Sequence, residues 1–184
     1  MLKTNIYPWT EYPLCNIDLK ETNNDYLLTT IRHSHNADDK RTKTAAMLVN
    51  EDKKYVMENN ILVKGYEHLD KDKLPRFKEF KNTVIEHAER AVIYAAFTIG
   101  LQNKKLIMYS PWVACVDCAR AIILSGIGKV VTLDTAKVYK ISTWEKSRLL
   151  GIKMMRKAGI TVEEVDPSEY SGETLFMGGN LITL

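Results

Sequence analysis

His87 and Glu89 stand two apart in "TVIEHAERAVIYAA", and Cys115 and Cys118 stand three apart in "SPWVACVDCARAIILSGIGKVV". One imidazole and two thiols are the nitrogen and sulfur donors that zinc takes. Three protein ligands leave the fourth tetrahedral position open, as a catalytic site requires; a closed structural site takes four. Cys15, His33, His35 and His68 are the other possible donors, and none has motif spacing to these three. Zn2+ is therefore the expected cofactor, with His87, Cys115 and Cys118 as its ligands.

The elements around these residues must bring them together. Cys115 and Cys118 flank the first turn of a helix predicted from about Val116 to Ser125 and stopped by Gly126. Three-residue spacing puts both sulfurs on one side of that turn. The positive end of the helix favours the thiolate that a metal needs. Asp117, in the same turn, is an acid that complements the dipole. A second helix is expected from near Val84 to about Ile99, with Thr83 and Glu86 as a capping box, Gly100 as its stop and His87 in its early turns.

Glu89 lies two residues past His87. On an ordinary helix it would be one more surface acid. In H-x-E followed by C-x-x-C it takes the place of the general acid/base of zinc nucleobase deaminases, which is not a metal ligand. Zinc lowers the pKa of bound water from 15.7 to about 7, roughly 12 kcal/mol of ionisation cost. A carboxylate alongside can take the water proton, pass it to a ring nitrogen, and protonate the departing ammonia.

The rest of the chain frames this site. Its 184 residues suffice for one domain, expected over 1–184. Hydrophobic residues at 45% and charged residues at 27% suit a globular protein. A net charge of +3 gives no support to nucleic acid as a partner. The apolar run from Ala91 to Leu101, broken by Thr98 and Gly100, is too short to span a bilayer. The start, "MLKTNIYPWTEYPLC", has no apolar h-region. The expectation is a cytoplasmic protein with no membrane partner. Three cysteines do not make a disulfide scaffold, and a Cys-x-x-Cys pair reads first as metal-binding or redox. A redox pair belongs early, after a first strand; this one lies in the second half, with a histidine motif before it.

Apolar spacing in "NNDYLLTTIRHSHN" predicts a helix, and residues Thr44–Val49 and Tyr55–Glu58 predict a hairpin. Lys64–Lys81 reads as a long, charged, exposed connection. "KLIMYS" and "KVVTLD" read as strands, "TWEKSRLLGIKMMRKAG" as an amphipathic helix stopped by Gly159, and "ITVEEVD" as the last strand. Helices alternating with strands predict an α/β layer with parallel strands.

On "HAERAVIYAA" and "CVDCARAIILSGIGKVV" the chain resembles the cytidine and deoxycytidylate deaminase superfamily, and within it the deoxycytidylate (dCMP) deaminase family, phage-type members included. The likeness runs from about Asp25 to Val165. It implies a three-layer α/β fold, a central mixed five-stranded sheet flanked by helices, with zinc between two helix N-termini. It implies hydrolytic deamination of dCMP to dUMP, with His87, Cys115 and Cys118 as ligands and Glu89 as proton shuttle. Backbone around Ala88 and Ser110 would bind the base edge. Asn60 in "MENNIL" matches the sugar-binding asparagine, and is equally a turn residue. The resemblance further implies a homohexamer, dCTP and dTTP as effectors, and a place in the host cytoplasm for a phage-encoded member.

Three positions depart from the family's pattern. Ala114 stands where a proline usually precedes the first cysteine, Pro111 being displaced upstream. Trp112 then sits three before Cys115, where some members carry a tryptophan against the base; a core aromatic reads equally well. Ala91 stands where dCMP deaminases commonly have asparagine. The Gly-Tyr-Asn-Gly motif linked to effector binding is "KGYEHL" here, with Glu67 and His68 in its last two places; this weighs against dCTP and dTTP regulation. For a substrate phosphate the sequence offers Lys64, Lys71, Lys73, Arg76, Lys78, Lys81 and Arg90 without choosing among them. The rival readings are deamination of dCTP, deoxycytidine or a modified dCMP, and a zinc-stabilised nucleotide-binding module. A polynucleotide deaminase would need aromatic platforms and a basic channel. A sensor would have no use for Glu89.

Overall fold

The structure, a computed structural model, describes residues 23–37, 39, 41–63, 83–101, 105–138 and 142–184. Cys15, His68, the 64–81 connection and the "KGYEHL" segment lie outside the described residues.

Five strands form the central sheet, in the order β2-β1-β5-β6-β7. They are β1 (Ala45–Asn50), β2 (Tyr55–Asn59), β5 (Leu106–Ser110), β6 (Lys129–Leu133) and β7 (Thr161–Val165). β1 pairs antiparallel with both β2 and β5, while β5, β6 and β7 run parallel. The expected mixed five-stranded sheet is therefore present. β1 lies inside the sheet and is buried along its whole length, which is why it reads "AAMLVN", apolar on both faces.

Alternation along the strands feeds two cores. Met47, Val49, Tyr109, Val131 and Leu133 pack with Leu27 and Ile31 of α1 (Asn23–Ser34). Ala46, Leu48, Met108 and Val130 pack on the other side with residues of α2 (Ala88–Thr98), α3 (Val116–Leu124) and α4 (Ser142–Lys157). Three layers result. Gly126 and Gly159 follow α3 and α4 at φ 74° and 86°, conformations that glycine takes without steric cost.

Two expectations need correction. The helix that carries His87 begins at Ala88, not near Val84. Ile85–Glu86 is a short strand, β4, that pairs with β3 (Ile61–Leu62), and Val63 N–H donates to the Val84 carbonyl at 2.9 Å. That pairing holds Ile85 and Glu86 extended, so His87 and not Thr83 is the N-cap of the helix that follows. The carboxylate of Glu86 instead accepts from the His87 N–H and from Arg90 Nε, both at 2.7 Å.

The second correction lies at the C-terminus. "ITVEEVD" is not the last strand, because a hairpin follows: β8 (Thr174–Met177) and β9 (Asn180–Thr183). The sequence signal was Gly178-Gly179, a two-residue hairpin turn between apolar stretches. Leu175 enters the α1 core, Lys43 bridges to Phe176, and Gly179 N–H donates to the Arg41 carbonyl at 2.7 Å. Among the described residues, no helix is long and apolar enough to cross a membrane.

Candidate active site

His87 and Cys115 are the N-caps of α2 and α3. Both have extended backbone, φ −74°, ψ 142° and φ −68°, ψ 171°, and neither side chain caps its own helix. Their carbonyls accept the first helical bonds, from Ala91 at 2.9 Å and from Ala119 at 2.8 Å. The side chains are left free to point away from the helix axes toward each other. Cys118, one turn into α3, is fully buried beside them. The two helices thus direct their positive ends at one point.

The three donor atoms lie within 4.8 Å of one another. His87 Nδ1 is 3.6 Å from Cys115 Sγ and 3.4 Å from Cys118 Sγ. A tetrahedral zinc with bonds of about 2.05 Å to nitrogen and 2.3 Å to sulfur would separate such donors by about 3.6 Å. The residues therefore fit the ion in both donor type and spacing. His33 and His35 stand apart from this cluster; His35 Nε2 instead meets the Thr174 carbonyl at 2.9 Å.

The electrostatics agree. The Cys115 thiol is lowered to about 4, chiefly by the hydrogen bond from Cys118 and then by that from His87, against the cost of burial. Cys118 is raised, first by that same bond and then by burial. The two shifts are opposed because each sulfur is the other's main hydrogen-bond partner. His87 is raised mainly by its bond to Cys115. Arg90, salt-bridged to Glu86, brings Nη1 to 3.8 Å from Cys118 Sγ, a cation beside the sulfur that must lose its proton to a metal.

These groups open onto one cavity. Asn60, His87, Glu89, Trp112 and Cys115 all line it. Glu89, in the first turn of α2, is 5% exposed, and burial raises its carboxyl while His87 opposes the shift. Trp112 both lines the cavity and belongs to the core beside Tyr109, so its two readings are not exclusive. Asn60 is buried, with Oδ1 accepting from Thr44 N–H at 3.0 Å and Nδ2 donating to the Thr42 carbonyl at 2.8 Å. Ala88 and Ser110 are buried, and neither is among the residues that line the cavity. Ser110 Oγ lies 3.0 Å from the Trp112 carbonyl and 3.3 Å from that of Ala45.

Sequence reasoning missed the remainder of the lining. Trp144, Glu145 and Arg148 come from α4, Met177 from the terminal hairpin, and Thr135 and Ala136 from the turn after β6. The Trp144 ring stands 6.1 Å from the His87 ring. Loops after the parallel strands β5 and β6 both reach the cavity, the usual place for a ligand in such a sheet. Within α4, a tryptophan and an arginine four apart carry no signal in a single sequence that they face a site built from earlier segments of the chain.

The family model described as the cytidine and deoxycytidylate deaminase zinc-binding region matches residues 20–134. The chain belongs to this family. No curated protein sequence matches it. Among solved structures, the dCMP deaminase from the cyanophage S-TIM5, in complex with dCMP and dUMP, is similar in fold at a TM-score of 0.57 and 20% identity, over 76% of this chain and 93% of that one. The Thermotoga maritima diaminohydroxyphosphoribosylaminopyrimidine deaminase/5-amino-6-(5-phosphoribosylamino)uracil reductase scores 0.53 at 18% identity, over 76% of this chain and 35% of that one. A guanine deaminase from Nitrosomonas europaea scores 0.51 at 14% identity, over 79% and 78%. The deaminase-like fold is thus shared with relatives whose substrates differ. The family match ends at residue 134, before Trp144, Glu145, Arg148 and Met177.

Proposed function

We propose that this deaminase-family protein hydrolyses dCMP to dUMP and ammonia. The observation that carries the reading is a buried carboxylate, Glu89, lining the same cavity as the His87 and Cys115 donors. His87, Cys115 and Cys118 are the residues that would hold zinc, which when bound supplies a Lewis acid and an acidified water.

The chain's own residues do the rest. One water adds at the amino-bearing carbon of the pyrimidine, the carbon–nitrogen bond breaks, and ammonia leaves. Glu89 takes a proton from the water, places it on the ring nitrogen, and delivers a proton to the departing amine. Its burial, which raises the carboxyl, makes it a better proton carrier than an exposed glutamate. Trp112 covers the base, and backbone at Ala88 and Ser110 meets its edge. Asn60 faces the sugar: each end of its amide keeps one further bonding position beyond the bonds to Thr42 and Thr44. Assembly as a homohexamer belongs to the same reading. Tyr94 and Phe97 on α2 and Leu124 on α3 stay exposed and offer apolar surface to a second copy; light scattering at micromolar concentration checks the mass.

The test is ammonia release from the zinc-loaded protein with dCMP, dCTP, deoxycytidine, a modified dCMP, and adenine and guanine nucleotides. dCMP should be the best substrate, by about 10²-fold or more over deoxycytidine, as several charge-assisted hydrogen bonds to a phosphate imply. Equal use of dCMP and deoxycytidine would move the protein to the nucleoside class. No ammonia from any cytosine substrate would leave a binding module.

A further inference from the structure

Fixed charge in the described part of the cavity lining is unbalanced. Asp39, Glu89 and Glu145 are carboxylates, and Arg148 is the one lysine or arginine among the described lining residues. A phosphorylated substrate carries up to two negative charges near neutral pH, and Arg148 is the permanent side-chain cation of the described lining that can meet them away from the donor cluster. We propose that Arg148 is the specificity-determining residue that selects a phosphorylated substrate; the proposal rests on the nucleotide reading above.

Three observations carry it. The Arg148 side chain is only 15% exposed, yet its ion pair with Glu164 is long, 3.4 Å from Nη1 to Oε1. Glu164 is also shared, with Arg156 Nη2 at 3.1 Å from its other oxygen. Among the described residues that is the whole of Arg148's pairing, so most of its five N–H donors stay available to an anion. A largely buried guanidinium with half a carboxylate for a partner is under-compensated, and a phosphate oxygen completes it in a bidentate geometry.

The arginine is also well placed. Ser147, its neighbour on α4, accepts from the Val116 N–H at 3.1 Å. Gly151 lies one turn on, where a Cβ would stand 2.6 Å from the Ala114 carbonyl oxygen. The face of α4 that carries Arg148 is thereby seated against the loop holding Cys115. Trp144, one turn before Arg148, stands beside His87. The donor cluster and Arg148 thus face the same cavity, with Trp144 of α4 between them in the chain.

The experiment compares the parent, Arg148→Gln, Arg148→Lys and Glu164→Gln. Steady-state deamination is measured on dCMP and on deoxycytidine, and calorimetric binding on dUMP and on deoxyuridine. Arg148→Gln should lose about 10²-fold in kcat/KM on dCMP, chiefly through KM, while deoxycytidine stays within about threefold. Arg148→Lys should recover part of that loss, since lysine keeps the charge but not the fork. Glu164→Gln, which breaks the same ion pair, should leave the dCMP-to-deoxycytidine ratio intact. An equal loss on both substrates, or an unchanged ratio in Arg148→Gln, overturns the proposal while deamination of dCMP by the parent stands. If the parent releases no ammonia, the binding arm still decides: dUMP affinity that depends on Arg148 supports the proposal, and dUMP bound no tighter than deoxyuridine overturns it.

Discussion

His87 and Cys115 reach the cavity from helix N-caps, within two helical segments that the deaminase family model covers. Trp144, Glu145 and Arg148 reach it from the body of α4, and Met177 from a terminal hairpin, all beyond the matched residues. The first group is set by short-range geometry: an extended N-cap, a first turn, and a three-residue spacing. The second exists only because α4 seats on the Cys115 loop and the hairpin pairs with residues 41–43. On the proposed reading the two groups divide the work: the N-cap group does the chemistry and the C-terminal group selects what enters.

That division makes its sharpest claim at the metal. Cys118→Ala should lose most bound zinc and with it the turnover, whereas Glu89→Gln should keep its zinc and lose about 10²–10⁴-fold in kcat. Elemental analysis together with kinetics separates the two outcomes. Full zinc retention in Cys118→Ala would sink the ligand assignment, and parent-like turnover in Glu89→Gln would put the proton carrier elsewhere.

The same contrast explains what could be read from the sequence. The donor set was legible because H-x-E and C-x-x-C are local, and a metal leaves few residue types that can serve. The sheet was legible because "AAMLVN", "LIMYS" and "KVVTL" are apolar runs bounded by turns. The start of α2 was misread because Ile85–Glu86 is held extended by Ile61–Leu62, more than twenty residues away, and no local rule anticipates that partner. Asn60 was readable as a turn residue and as a site residue, and its amide does tie down Thr42 and Thr44 while facing the cavity. Arg148 could not be found as a cavity residue at all: nothing local to α4 marks it until that helix is docked.

Gly151 couples the two groups and should give the next largest effect. In Gly151→Ala the new methyl would meet the Ala114 carbonyl oxygen at 2.6 Å, so α4 or the Cys115 loop must shift. Overpacking of this kind costs about 1–3 kcal/mol. If the loop gives way, zinc affinity should fall by about 10–10²-fold, read by competition with a chelator. If thermal stability falls while zinc affinity holds, α4 moves and the loop does not, and the two groups are mechanically more separate than the contact implies.

The smallest effect should come from Met177→Ala, the cleanest test of separation. Met177 is partly buried, lines the cavity, and lies with Sδ 3.6 Å from Thr42 Oγ1. Thr42 in turn accepts from the Gly178 N–H at 3.4 Å, and its carbonyl accepts from Asn60. Truncation removes apolar surface worth about 1–2 kcal/mol at most when only part of the side chain is buried. If the hairpin serves substrate fit alone, the loss is uniform between bound substrate and transition state: KM should rise by a few-fold, with kcat and zinc content unchanged. A fall in kcat instead would mean that the hairpin, acting through Thr42 and Asn60, aligns the base with Glu89, and that selection and chemistry in this cavity are not divided between the two groups.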